Sequence, residues 1–214
     1  MPDLETPRPP HLREAGAPRG IARRAGVLLH GRGHTADEKV DLTARLGTLD
    51  GMRWLAPGAD LGSWYPNRFY DPVELNEPFL SQAVARCHEA VEEAGEGGRL
   101  SPAQIAIIGF SQGACITLEY VRRYPGRVGT AIVFTGGLMG VPGSKWETAG
   151  SLKGLRVLLT GSDADEWIPE ENTRETAQVL TESGADVTLR IYHGRSHVVG
   201  DQELAEAREI LERL

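Results

Sequence analysis

The chain has 214 residues, 40% hydrophobic and 25% charged, the balance of a soluble globular protein with a real core and one or at most two domains. A formal charge of −7 and a pI near 5.4 repel phosphate backbones and anionic lipid, which excludes nucleic acid and membrane surfaces as expected partners. Cys87 and Cys115 are too few for a disulfide framework; with no signal-peptide pattern and no apolar run of the ~18 residues that span a bilayer, a cytoplasmic protein is expected.

Residues 1–20 carry Pro2, Pro7, Pro9, Pro10 and Pro18 among mixed charges, which disfavours helix and sheet and predicts a mobile arm ahead of a single domain over 21–214. The first predicted strand is "GVLLH", followed by the glycine-rich "GRGHT". Thr35 and Glu38 then form a capping-box pattern that opens a helix through Val40 and Ala44. "MRWLA" reads as the next strand and leads into the aromatic-rich "SWYPNRFY". "IAIIGF" is a strand whose following helix is stopped by Pro125 and Gly126. "GTAIVF" and "LRVLLT" follow, and Pro169, Glu170 and Glu171 open another helix. "DVTLRIY" is the last strand, and Asp201 is placed to cap a final helix towards Leu214. Both cysteines fall in helical patterns, where a small buried thiol is the ordinary role. Nearly unbroken apolar strands alternating with helices imply a mostly parallel sheet covered on both faces, with ligand sites at the carboxyl ends of the strands.

Ser111 stands at the junction of strand and helix, in Gly109-Phe-Ser-Gln-Gly113. The two glycines remove side chains where strand and helix must approach closely, leaving the serine in a sharp, exposed turn at a helix N-terminus, which is the nucleophile elbow of the α/β-hydrolase fold. A serine hydroxyl needs a base, and on this fold the order is Ser, acid, His. Of six histidines only His193 and His197 follow Ser111. His193 directly continues the last strand, whereas His197 lies beyond Gly194 in the loop that can return over the elbow, which favours His197. For the acid, "GSDADEWIP" offers Asp163 and Asp165, which spacing alone hardly separates, and Glu166 as a weaker third. The oxyanion hole needs two backbone donors, for which the amides of Arg32, in "LLHGRGHT", and Gln112 are the candidates. His30, His34 and Asp37 make a poor metal set, since glycines interrupt the histidine spacing and no further His or Cys cluster joins them.

Over about residues 25 to 212 the sequence resembles the phospholipase/carboxylesterase family of α/β-hydrolases, which includes acyl-protein thioesterases and small bacterial carboxylesterases. The likeness is carried by "LLHGRG", "GFSQGA", "GSDADEWIP" and "YHGRSH". It implies Ser111 as nucleophile, Asp165 as acid, His197 as base, and Arg32 and Gln112 as oxyanion donors, with no cofactor and no metal. Relatives commonly have an apolar residue and an acid where this chain has Arg32 and His34, so the pocket entrance is expected to be more cationic here.

"SWYPNRFY" is the candidate pocket wall, with Trp64 first and then Tyr65, Phe69 and Tyr70; Leu138, Met139, Trp167 and Val198 are candidate apolar contacts. The expected activity is hydrolysis of a small carboxylic ester through an acyl-enzyme. The alternatives are thioesterase, protein deacylase or lysophospholipase chemistry on the same residues, and a non-catalytic hydrolase homologue that binds a ligand.

Overall fold

The computed structural model describes residues 12–214. Seven strands, β1 (Leu12–Gly16), β2 (Arg24–Leu29), β3 (Met52–Pro57), β4 (Ile105–Phe110), β5 (Thr130–Phe134), β6 (Arg156–Ser162) and β7 (Asp186–Tyr192), form one sheet in the order β1-β3-β2-β4-β5-β6-β7. All six predicted strands are present, and β2 to β7 run parallel. The helices are α1 (Ala36–Leu46), α2 (Phe79–Gly95), α3 (Gln112–Arg123), α4 (Glu170–Glu182) and α5 (Asp201–Leu211).

The inner strands are apolar on both faces because each face is covered. Val27 and Leu29 of β2, Ile107 of β4 and Val133 of β5 pack with Leu80 and Val84 of α2, Leu118 of α3 and Leu180 of α4. Their alternating neighbours Leu28, Ile108 and Ile132 pack with Leu42 and Leu46 of α1 and Leu204 and Leu211 of α5. Cys87 and Cys115 are buried and unbridged on α2 and α3. The box at Thr35 forms in both directions: the Glu38 carboxylate accepts the Thr35 N–H at 2.7 Å and the Thr35 hydroxyl accepts the Glu38 N–H at 3.3 Å. At α5 the cap differs from the expectation, because Gly200 occupies the cap and Asp201 the first turn. Glu203, not Asp201, accepts the Gly200 N–H at 2.7 Å.

The first twenty residues require a correction. Residues 1–11 lie outside the described residues, but Leu12–Gly16 forms β1, antiparallel to β3, between prolines that disfavour sheet. The reason is tertiary. Arg53 of β3 is 1% exposed, and a buried guanidinium requires countercharge. Glu14 of β1 accepts from it at 2.9 Å and Glu93 of α2 at 2.8 Å, while Glu96 lies 3.4 Å away. The antiparallel strand thus closes the sheet edge and carries an ionic partner for the neighbouring strand.

The chain winds from β2 outward to β3 and then crosses back to β4 on the other side of β2. That reversal opens a crevice at the carboxyl ends of β2 and β4, where α/β sheets bind ligands.

Candidate active site

Ser111 links β4 to α3 with φ 54° and ψ −119°, a left-handed conformation that costs a residue with a Cβ on the order of 1–3 kcal/mol. The surroundings hold it there. Its N–H donates to the Phe134 carbonyl at 3.0 Å, and its carbonyl accepts the Cys115 N–H at 3.1 Å. The flanking glycines are needed for close approach: a Cβ at Gly109 would stand 2.3 Å from the Gly113 oxygen, and one at Gly113 would stand 2.4 Å from the Leu29 oxygen. The strain turns the hydroxyl out of the sheet towards the loop that follows β7.

In that loop His197 places Nε2 2.7 Å from Ser111 Oγ and Nδ1 2.8 Å from Asp165 Oδ2. A carboxylate on Nδ1 selects the tautomer with the proton on Nδ1, leaving Nε2 as the acceptor of the serine proton. Asp165, from the loop after β6, has a fully buried side chain, and its Oδ1 accepts the Trp167 N–H at 2.8 Å and the Ile168 N–H at 2.9 Å. Burial pushes this carboxyl upward, but the hydrogen bonds from His197, Ile168 and Trp167 outweigh it and hold the group below the ordinary aspartate range. The Phe110 ring lies 5.0 Å from the His197 ring and packs against the imidazole.

The two residues that spacing left as alternatives pair with each other instead. His193 Nδ1 lies 2.8 Å from Asp163 Oδ2, and the Gly194 N–H donates to Asp163 Oδ1 at 2.7 Å. The His193 side chain is 84% exposed. The hydrogen bond to Asp163 raises the His193 pKa, and the same bond lowers that of Asp163. This outer pair staples the acid loop to the histidine loop without reaching Ser111.

The backbone N–H groups of Arg32 and Gln112 donate to no atom among the described residues, as an oxyanion hole requires. Their side chains converge on the aromatic segment. Gln112 Oε1 accepts the Trp64 N–H at 2.9 Å and Gln112 Nε2 donates to the Tyr65 carbonyl at 2.7 Å. Arg32 donates to the same Tyr65 carbonyl at 2.8 Å, to Pro66 at 3.0 Å and to Asn67 at 2.9 Å. The exposed guanidinium expected at the entrance does line the cleft, and three of its N–H groups brace the wall by donating to backbone carbonyls. His30 is structural as well: its Nδ1 bonds to the Gly31 carbonyl at 2.8 Å and its Nε2 accepts the Ala59 N–H at 2.9 Å. Burial lowers its pKa and favours the neutral ring.

A cleft of about 650 Å³ opens over Ser111 and His197, with Tyr65, Phe69 and Tyr70 on one side and Trp167 and Ile168 on the other. Of the predicted contacts, Tyr65, Phe69, Tyr70 and Trp167 line it. Trp64, Leu138, Met139 and Val198 are corrections, because none belongs to its lining. Trp64 is buried, with its indole N–H donating to the His30 carbonyl at 2.8 Å. Leu138 and Met139 are buried in the core, while Val198 is 49% exposed. Alternation along an irregular segment carries no period, so which of two adjacent aromatics faces the cleft was not readable. Arg68, Asp71 and Cys115 also line it and were missed as site residues. Arg68 lay within the quoted wall segment, and Cys115 stands one helical turn after Ser111. Burial pushes the Cys115 thiol up to about 11, so it is not a competing nucleophile.

A family model described as Phospholipase/Carboxylesterase matches residues 15–214. The chain belongs to this family. A crystal structure of a phospholipase/carboxylesterase from Dyadobacter fermentans DSM 18053 is similar at 37% identity and TM-score 0.88, over 94% of this chain and 96% of that one. A probable carboxylesterase, SOBER1-like, of Arabidopsis thaliana is 26% identical over 201 residues, covering 86% of this chain and 76% of that protein. Esterase YpfH of Escherichia coli K12 is 30% identical over 106 residues, half of this chain and 43% of its own. Family membership makes the protein an ester hydrolase of the α/β-hydrolase fold. Among the described residues no helix is long and apolar enough to cross a membrane.

Proposed function

We propose that the protein is a serine carboxylesterase that cleaves small carboxylic esters through an acyl-enzyme, with Ser111, His197 and Asp165 as a catalytic triad. The observation that carries this reading is the unbroken chain from Ser111 Oγ to His197 Nε2 at 2.7 Å and from His197 Nδ1 to Asp165 at 2.8 Å. His197 takes the Ser111 proton as Oγ bonds to the ester carbonyl carbon, and the carbonyl oxygen becomes an anion. The Arg32 and Gln112 amides donate to that oxygen. As the C–O bond to the alkoxy group breaks, His197 returns the proton and the alcohol leaves from an acyl-serine. Water then repeats the attack, giving its proton to His197, and the carboxylic acid departs as Ser111 regains its hydrogen. Asp165 stabilises the imidazolium in both halves, supported by its own low pKa.

The test is covalent labelling with a fluorophosphonate. Intact mass should show one adduct on the folded protein, mapped to Ser111 and absent in Ser111→Ala. No adduct on the folded wild type, or equal labelling of the variant, would reject the reading.

A further inference from the structure

The cleft differs in charge from the molecule around it. The chain carries 30 acidic and 23 basic residues. Many of its arginines are matched to carboxylates, for example Arg86 to Asp60 at 3.0 Å, Arg174 to Glu170 at 2.6 Å and Arg190 to Glu206 at 2.8 Å. The two arginines that line the catalytic cleft, Arg32 and Arg68, have no carboxylate within ion-pair distance among the described residues. Arg32 donates to three carbonyls, which take up three of its N–H groups but leave its charge uncancelled. Arg68 is exposed, and its guanidinium carbon lies 5.6 Å from the centre of the Tyr70 ring. None of its side-chain N–H groups has an acceptor among the described residues.

The backbone beneath that side chain is held. The Arg68 carbonyl accepts from Nδ2 of the buried Asn76 at 3.1 Å, and the Arg68 N–H donates to Asp71 Oδ2 at 3.0 Å. Asp71 is the one carboxylate in the cleft lining. A guanidinium lying over a tyrosine face keeps its edge N–H groups available, and that edge matches a carboxylate in two parallel hydrogen bonds. Two cations against one acid, in a protein of net charge −7, make the cleft a local attractor for anions.

We infer that this esterase selects esters that carry a carboxylate, with Arg68 as the specificity-determining residue that binds the anion while Ser111 attacks the ester. The preference presupposes the hydrolytic triad and adds the substrate class to it. Two matched pairs of substrates separate charge from shape. 4-Acetoxybenzoate against 4-acetoxybenzamide puts the charge on the leaving group; monomethyl adipate against its terminal amide puts it on the acyl group.

In at least one pair the acid should exceed the amide in kcat/KM by about tenfold, expressed mainly in KM, which is the scale of one charge-assisted contact in a partly wet cleft. Arg68→Gln should bring that ratio close to one, and Arg68→Lys should keep part of it. Arg23→Gln, which removes an exposed charge before β2 at the opposite end of the sheet, should leave the ratio as in the wild type. A ratio of one or less in both pairs overturns the inference, as does an undiminished ratio in Arg68→Gln. An enzyme that takes the fluorophosphonate on Ser111 and hydrolyses acid and amide alike loses only the anion preference. A protein that fails to label loses the triad as well.

Discussion

His193 and His197 stand four positions apart, and the structure sends the first to Asp163 at the surface and the second to Ser111 and Asp165. A group that shuttles the proton acts as a unit with the nucleophile, so His197→Ala should lower kcat by roughly four to six orders of magnitude with little change in KM. His193→Ala, which removes only the exposed staple, should cost less than about tenfold in steady-state assays of a soluble ester. Reversed effects would reassign the base. Behind the same site, Lys39 of α1 is buried with Nζ 4.8 Å from the centre of the Phe110 ring. Burial pushes its ammonium down to about 8, below the ~10.4 of an unfolded lysine. Between those values the unfolded chain holds more protons than the folded one, so this residue makes stability rise with pH across that window. Lys39→Met should remove the rise, narrowing the gain in unfolding free energy over that interval by about 2–3 kcal/mol in urea titrations. An identical pH slope in the variant would show that the ammonium is solvated.

Loops, not strands, carry most of this site, and they are tied to regular elements by buried polar contacts. In the histidine loop the Arg195 guanidinium pairs with Glu203 of α5, whose side chain is fully buried. It also donates to Thr135 at 3.2 Å and to the Gly161 carbonyl at 3.3 Å. The Arg195 carbonyl accepts the Ser162 hydroxyl at 2.5 Å, and that hydroxyl accepts the Ala164 N–H of the acid loop at 3.1 Å. One serine at the end of β6 thus joins the loops that carry Asp165 and His197. Arg195→Met would leave the Glu203 carboxylate buried without its cation, which costs roughly 3–5 kcal/mol. Urea unfolding should show that loss, and Arg195→Met with Glu203→Leu should recover much of it. A single variant as stable as the wild type would mean that the pair is exposed to water.

At the scale of the whole molecule, the cleft of about 650 Å³ over Ser111 is bounded by one aromatic segment and by Trp167, which is 63% exposed. A cleft of this size suits a small ligand. Along a series of acyl esters from acetate to palmitate, each accommodated methylene should raise kcat/KM by about 1 kcal/mol equivalent until the wall is reached, after which the gain should stop. Trp167→Ala should move that limit. Trp64→Ala should act through stability, because Trp64 packs on His30 outside the cleft. A steady rise to palmitate would favour the thioesterase or lysophospholipase alternatives.

The apolar strands, the capping box at Thr35 and the glycine-bracketed serine were legible in the amino-acid order alone because their causes are local. Strand period, cap chemistry and the absence of two Cβ atoms act between near neighbours along the chain. The resemblance of four short motifs to one family extended that legibility to Asp165 and His197. What depended on groups far apart in sequence was decided only by the tertiary structure. Leu12–Gly16 is a strand because β3 offers it an edge and Arg53 a charge to meet. Arg32 braces the wall because three carbonyls of residues 65 to 67 arrive within reach of its fork. Asp163 and Asp165, two positions apart, find different histidines because the turn of the loop points one carboxylate outward and buries the other. Hydrogen-bond partners thirty or more positions apart depend on where the sheet brings the loops, and no local pattern encodes that distance.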